Sequence, residues 1–224
     1  MKKFKSIAID GPAGAGKSDV SDILAEKLNF VHVDTGALYR AIALCFLGKP
    51  INEHSIEDIL SNSFIDVKFI NNTQLVYLNG EDVTNKLRSP EISKLASDIS
   101  SFKNVREFLL SLQRELADSN NVIMDGRDIS TVVLPDADIK IFLTASPEER
   151  AKRRFKQLDG DKVGLKYDEI LHSIKTRDYN DAHRKIAPLK PADDSFIYDT
   201  TYSIIDEVVD CILNYVGDRL DVNL

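Results

Sequence analysis

Between a short apolar run, Ile7-Ala8-Ile9, and a segment with Val20, Ile23, Leu24 and Leu28 at helical spacing lies Gly11-Pro12-Ala13-Gly14-Ala15-Gly16-Lys17-Ser18. Strand, glycine-rich turn and helix in that order leave few folds open. The run fits G-x-x-x-x-G-K-[ST], in which glycines let successive backbone N–H groups converge on phosphate oxygens at a helix N-terminus. Lys17 supplies a point charge to terminal phosphates, and Ser18 can ligate Mg2+. An incidental glycine-rich turn has no reason to stand between a strand and a helix, as this one does. The reading is a nucleoside-triphosphate binder. A signalling GTPase would add a guanine-reading N-K-x-D motif, and Asn85-Lys86-Leu87-Arg88 lacks the aspartate. Asp161-Lys162-Val163-Gly164 matches D-x-x-G, but it falls in a polar loop after a helix and is read as chance.

A second run, Phe30-Val31-His32-Val33, ends at Asp34-Thr35-Gly36 and leads into a helical pattern with Leu38, Ile42 and Leu44-Cys45 on its apolar side. This pitch predicts a parallel sheet covered by helices. Alternation then takes over in Ile65-Asp66-Val67-Lys68-Phe69 and Gln74-Leu75-Val76-Tyr77-Leu78, with Asn71-Asn72 between them and Asn79-Gly80 after. That pattern predicts antiparallel hairpins, a small β insertion over roughly residues 63–85. Helix returns from about Pro90 to Asp118, broken near Ser101-Phe102. Val122-Ile123-Met124 and Ile139-Lys140-Ile141-Phe142-Leu143 are buried-strand candidates. Ser146-Pro147-Glu148-Glu149 is a strong helix start, with a Ser cap and proline at the first helical position. The segment Leu158–Gly164 is polar and reads as mobile, and a helix to about Lys185 follows it. A last strand, Phe196-Ile197-Tyr198, precedes an amphipathic helix from Ile204 to Val216. The whole is one α/β domain: a P-loop NTPase-type parallel sheet flanked by helices (about 1–62, 86–145 and 186–224), the β insertion, and a helical lid (about 146–185).

Composition narrows the partners. A net charge of −7, from 36 acidic and 29 basic residues, argues against a nucleic-acid or anionic-membrane surface. With 43% apolar and 29% charged residues the chain is globular rather than disordered. Cys45 and Cys211 lie far apart without metal-ligand spacing and read as two reduced core thiols. Only three apolar residues follow the basic Met1–Lys5, too few for a signal peptide, and no run approaches the ~20 residues of a membrane span. A cytoplasmic, soluble chain, monomeric, is the expectation.

The remaining polar motifs fall where an α/β sheet puts its ligand, at the carboxyl ends of strands. Asp34-Thr35-Gly36-Ala37-Leu38-Tyr39-Arg40 ends the second strand, and Asp125-Gly126-Arg127-Asp128 ends Val122-Ile123-Met124. Arg177, Asp181 and Arg184 can share one helix face, and Arg150, Arg153 and Arg154 cluster beside the glycine-bearing loop. An acidic chain that gathers arginines in these places is building anion sites, because guanidinium forks match phosphate bidentately and stay charged.

These motifs resemble bacterial cytidylate kinase, a nucleoside monophosphate kinase family. The resemblance is carried by Ile9 to Ser18, Asp34 to Arg40, Asp125-Gly126-Arg127-Asp128 with Thr131-Val132-Val133, and Ala187-Pro188-Leu189. It runs over nearly the whole chain, and the β insertion is similar to the enlarged monophosphate-binding region of the bacterial type. The resemblance implies transfer of the γ-phosphoryl group of ATP to CMP or dCMP, with Mg2+. Residues Gly11 to Asp19 then hold ATP. Ser97, Arg106 and Asp128 look like the cytosine readers, with Thr35 near the base end. Arg40, Arg127 and Arg184 look like the acceptor-phosphate clamp, and Arg177 and Asp181 like the sugar contacts. A carboxylate such as Asp128 accepts from the exocyclic amine of cytosine and repels the carbonyl of uracil. The acceptor phosphate is itself an anionic nucleophile, so no base is required and His32, His54, His172 and His183 read as structural. Catalysis falls to alignment and charge neutralisation by Lys17, Mg2+ and arginines, with Arg153 and Arg154 as lid candidates. Asp34 and Asp125 are candidates to hold Mg2+ through water.

Two positions depart from the family. Asp19 replaces a usual threonine; like charges ~6 Å apart at an effective dielectric of ~20 repel by roughly 3 kcal/mol, so weakened ATP binding with retained activity is expected. An aspartate in the first helical turn is stabilising without ligand, and it can also turn to solvent. Ser130 stands where glycine is common, and a positive φ there would strain it. Rival readings are a kinase for UMP or AMP, and a non-catalytic ATP-binding switch if Asp19 disables the phosphate loop.

Overall fold

In a computed structural model, which describes residues 3–160 and 164–220, the first strand Ser6–Asp10 (β1) is buried along its whole length. It lies at the centre of a five-stranded sheet with Val31–Asp34 (β2), Val122–Gly126 (β6), Ile139–Thr144 (β7) and Phe196–Asp199 (β8), in the order β2-β6-β1-β7-β8. Each of its four pairings is parallel. Central strands covered on both faces must be apolar throughout, which is why β1 and β6 read as continuous runs. The register sets Asp34 beside Asp125 and Asp10 beside Gly126, so three acidic strand ends share one edge of the sheet.

Helices cover both faces. Lys17–Leu28 (α1) and Ile205–Gly217, the last helix (α8), pack Val20, Leu24, Val208, Ile212 and Val216 against Ile7, Ile9, Ile123 and Ile141. Opposite them, Lys103–Ser119 (α5) sets Leu110 and Leu116 against Ala8, Val33 and Met124. Thr35–Leu44 (α2), Glu53–Ser61 (α3) and Pro90–Ile99 (α4) enclose a second core with α5, built on Leu38, Ile42, Ile56, Ile92, Ile99 and Leu109. The expected break near Ser101-Phe102 is the junction of α4 and α5. Ser89 caps α4 with Pro90 in its first turn.

Ile65–Ile70 (β3), Thr73–Leu78 (β4) and Glu81–Asp82 (β5) form a separate antiparallel sheet, one short strand more than the two expected. Asn71 and Asn72 both hold positive φ, as a two-residue hairpin loop demands. Helix α3 has no counterpart in the sequence reading. It buries only Ile56 and Ile59, too narrow a stripe to stand out, and its start is set by an Asn52–Ser55 capping box. Pro147–Gln157 (α6) begins as expected, with Ser146 Oγ accepting from the Glu149 amide at 3.2 Å. Tyr167–His183 (α7) comes after residues 161–163, which lie outside the described residues, and with them most of the D-x-x-G match.

Cys45 and Cys211 are free thiols, half-buried rather than core. Among the described residues no helix is long and apolar enough to cross a membrane.

Candidate active site

The phosphate loop joins the C-terminal end of β1 to α1, and its backbone explains its glycines. Gly11 adopts φ +150°, and a Cβ there would fall 2.0 Å from the Leu143 carbonyl oxygen on β7. Gly16, the residue before α1, holds φ +86°. Lys17 folds back over the loop, and its buried Nζ donates to the Pro12 carbonyl at 2.9 Å. Burial first, then the charge of Arg127, lower its pKa to about 7 against the pull of Asp125 and Asp10. An ammonium held this way is under-neutralised and disposed toward an anion.

Beside the loop, Asp125 accepts from Ser18 Oγ at 2.7 Å. Burial opposes its ionisation, but His32, Lys17 and Ser18 outweigh burial and hold its pKa below the ordinary carboxylate value. His32 is buried with Nδ1 2.6 Å from Asp22 Oδ1 and Nε2 3.6 Å from Asp125 Oδ1. Burial works against its charge as well, yet the two carboxylates raise its pKa to about 10. Asp34 is committed elsewhere: it caps α2 through the Ala37 amide at 3.0 Å and pairs with Arg40 at 2.6 Å. Of the two aspartates weighed for a metal, the structure brings only Asp125 to Ser18.

Across the sheet edge lies the arginine cleft. Asp128 pairs with Arg106 from α5 and, at 3.1 Å, with Arg184 just beyond α7. Asp181 accepts from Arg127 at 3.1 Å and lies 4.0 Å from Arg177. Five guanidiniums, Arg40, Arg106, Arg127, Arg177 and Arg184, thus share three carboxylates, Asp34, Asp128 and Asp181. Nε of Arg40 and Nε of Arg177 are buried without hydrogen-bond partners. Burial, then Arg127, lowers the Arg177 pKa to about 10 despite Asp181. Ser97, Ser101, Asn180, Asp181 and Arg184 border a cavity of about 250 Å³ at this place. Thr35 is buried, with Oγ1 donating to the Asp125 carbonyl at 2.7 Å.

The three arginines of α6 go different ways. Arg150 is buried and joins three segments, donating to Ala145 O at 2.8 Å, Ala13 O of the phosphate loop at 3.1 Å and Asp178 of α7 at 2.6 Å. Arg153 donates to Thr200 O at 2.6 Å. Arg154 reaches Gln157 at 2.8 Å, and burial together with the charge of Arg40 lowers its pKa. Asp19 is exposed in the first turn of α1. Ser130 has no positive φ, so the strain considered for it is absent.

Several residues that shape the site have no role of their own in the sequence reading. Asp10 is fully buried and accepts from the Ile129 and Ser130 amides at 2.7 Å each and from Ser130 Oγ at 2.5 Å, which ties the end of β1 to the π-helical turn after Asp128. Gln74 of β4 grips the backbone of Asp34, accepting from its N–H at 2.7 Å and donating to its carbonyl at 3.3 Å. Ala187 holds φ +50° before a proline and accepts from Arg184 Nε. Residues before proline avoid helical backbone, so this is strain kept where it aims Arg184.

A parallel sheet in this order, with a phosphate loop at its carboxyl edge and a cationic cleft beside it, defines a P-loop kinase. A solved structure of an uncharacterized protein from Eubacterium ventriosum shares the fold, with TM-score 0.52 at 14% identity over 96% of this chain and 99% of that one. The family model for cytidylate kinase matches residues 7–218. Cytidylate kinase of Caldicellulosiruptor saccharolyticus is 51% identical over 95% of both chains. That of Lactobacillus johnsonii is 49% identical over 93% of this chain and 92% of its own. The chain belongs to the cytidylate kinase family. It is a phosphotransferase acting on CMP.

Proposed function

We propose that the chain phosphorylates CMP, and dCMP with it, by in-line transfer from ATP between the phosphate loop and the arginine cleft. The observation that carries this reading is the excess of cation in the cleft: five guanidiniums against three carboxylates, two of them with buried, unpartnered Nε donors. A buried donor without a partner is costly, and a phosphate or ribose oxygen would relieve it.

In this reading Gly11 to Asp19 hold ATP, with Lys17 leaving Pro12 for the terminal phosphates. Arg40, Arg127 and Arg184 clamp the acceptor phosphate, Arg177 and Asp181 take the sugar, and Ser97, Arg106 and Asp128 read cytosine with Thr35 behind them. Asp128 is preset for that task because Arg106 and Arg184 pair with its carboxylate and aim it. An acceptor oxygen attacks the γ-phosphorus as the bond to the ADP oxygen breaks. Alignment and charge neutralisation supply the rate, with Lys17, Arg127, Arg184 and the α6 arginines Arg153 and Arg154. Those two arginines act once residues 146–185 close as a lid, which requires Arg153 to leave Thr200.

Ser18 Oγ and Asp125 are hard oxygen donors suited to Mg2+. Among the described residues no group of three or more His, Cys, Asp or Glu could hold a metal by itself, so the donor set fits an ion that arrives with nucleotide phosphates. Bound there, Mg2+ would neutralise charge on the β- and γ-phosphates.

The deciding experiment is multiple-turnover ADP production with a panel of monophosphates. CMP and dCMP are expected to drive turnover, with UMP and AMP far behind. No CMP-dependent turnover at saturating ATP would overturn the reading.

A further inference from the structure

Behind the phosphate loop a buried imidazole links an exposed carboxylate to the one that holds Ser18. His32 lies on β2 inside the molecule, Asp22 on the outer side of α1, and Asp125 at the end of β6. Both ring nitrogens face carboxylate oxygens, at 2.6 Å from Asp22 and 3.6 Å from Asp125. A carboxylate only accepts, so at 2.6 Å Nδ1 is the donor to Asp22 and the tautomer and direction of the ring are set by that contact. The Nε2 contact is beyond hydrogen-bond length, and Nε2 is a buried atom with no hydrogen-bond partner. A turn of the Asp125 carboxyl of less than an ångström would close it. The same carboxyl accepts from Ser18 Oγ through its other oxygen at 2.7 Å, so one side chain faces His32 behind and engages the Ser18 hydroxyl in front.

We propose that His32, steadied by Asp22, is a positioning residue that sets the orientation of Asp125 toward Ser18 and thereby the affinity of the loop for Mg2+-bound nucleotide. The inference rests on the reading that Mg2+ meets the nucleotide at Ser18 and Asp125. Neither His32 nor Asp22 touches substrate in it. Partners one step behind a metal site of this kind are worth 10–100-fold in metal affinity.

ADP affinity measured by calorimetry, with and without Mg2+, separates positioning from general support. In His32→Gln the Mg2+-dependent gain in ADP affinity is expected to shrink by about tenfold, with metal-free ADP affinity changed less than twofold. In Asp22→Asn, a surface change that leaves the core intact, the gain is expected to shrink about threefold. The KM for CMP should stay within twofold in both. A gain that survives in both variants overturns the inference alone, as does an equal fall of metal-free and metal-bound affinity in Asp22→Asn. A wild-type protein with no Mg2+-dependent gain overturns it together with the metal reading. If His32→Gln does not fold, Asp22→Asn decides the matter.

Discussion

The phosphate loop and the arginine cleft both present positive charge at one sheet edge, but they are built differently. The loop is local: eight consecutive residues, φ-permissive glycines and a lysine folded onto a carbonyl five residues earlier. The cleft is assembled from distant parts of the chain, with Arg106 from α5, Asp128 after β6 and Asp181 and Arg184 from α7 or just past it. Loop geometry is set mainly by its own backbone, with outside contacts limited to the Leu143 carbonyl beside Gly11 and Arg150 at the Ala13 carbonyl. Cleft geometry is set by ion pairs across three elements, so it depends on how those elements pack. In the loop a point charge awaits any triphosphate. In the cleft, cations and carboxylates fix one another's directions, which is what discrimination between bases needs.

If that contrast is right, a loop substitution should remove catalysis with every acceptor, whereas a cleft substitution should relax choice. Lys17→Met is expected to lower kcat about a thousandfold with CMP, dCMP and any slow acceptor alike. A loss confined to one acceptor would break the contrast. Asp128→Asn should lower kcat/KM for CMP about a hundredfold and for UMP much less, because it removes the charged acceptor and leaves Arg106 and Arg184 half-paired. Steady-state kinetics on both substrates gives the ratio.

A pH experiment probes the support of the loop. With a folded pKa raised to about 10 from an ordinary 6.5, His32 binds its proton more tightly in the native state. Its contribution to stability is therefore full below pH 6.5 and lost as pH rises toward 10. Urea midpoints of wild type and His32→Gln, measured without nucleotide, should differ most at pH 6 and converge near pH 10. A constant difference would sink the assignment. The smallest effect is expected at Asp19. Because its side chain is exposed, water screens it toward the bulk dielectric, and Asp19→Thr should tighten ATP binding only about threefold. A hundredfold change would mean that Asp19 turns inward when ATP binds.

Much of this was legible in the residues. The phosphate loop, the two paired strands of the insertion, the break between α4 and α5 and the Ser146-Pro147 start each rest on local chemistry, and each is where local chemistry put it. Helix α3 was not legible because two buried isoleucines make too narrow a stripe to show as a period. His32 read as structural because one histidine in an apolar run says nothing of the two carboxylates that flank it, one ten residues away and one at the end of another strand. The cleft was visible as a set of arginines, but its pairing was not. Nothing in the order of residues says that Asp128 is shared by Arg106 and Arg184, or that Gln74 of the insertion grips the backbone of Asp34.

Sequence alone determined the phosphate loop and the class of sheet it belongs to, because steric limits on φ and the period of apolar residues act over a few residues. Tertiary structure decided which charges meet: Asp10 under the Asp128 turn, Arg150 between the loop and α7, His32 behind Asp125. Those contacts join residues from different elements, and only the packing of helices on the sheet brings them within the few ångströms over which buried charges act.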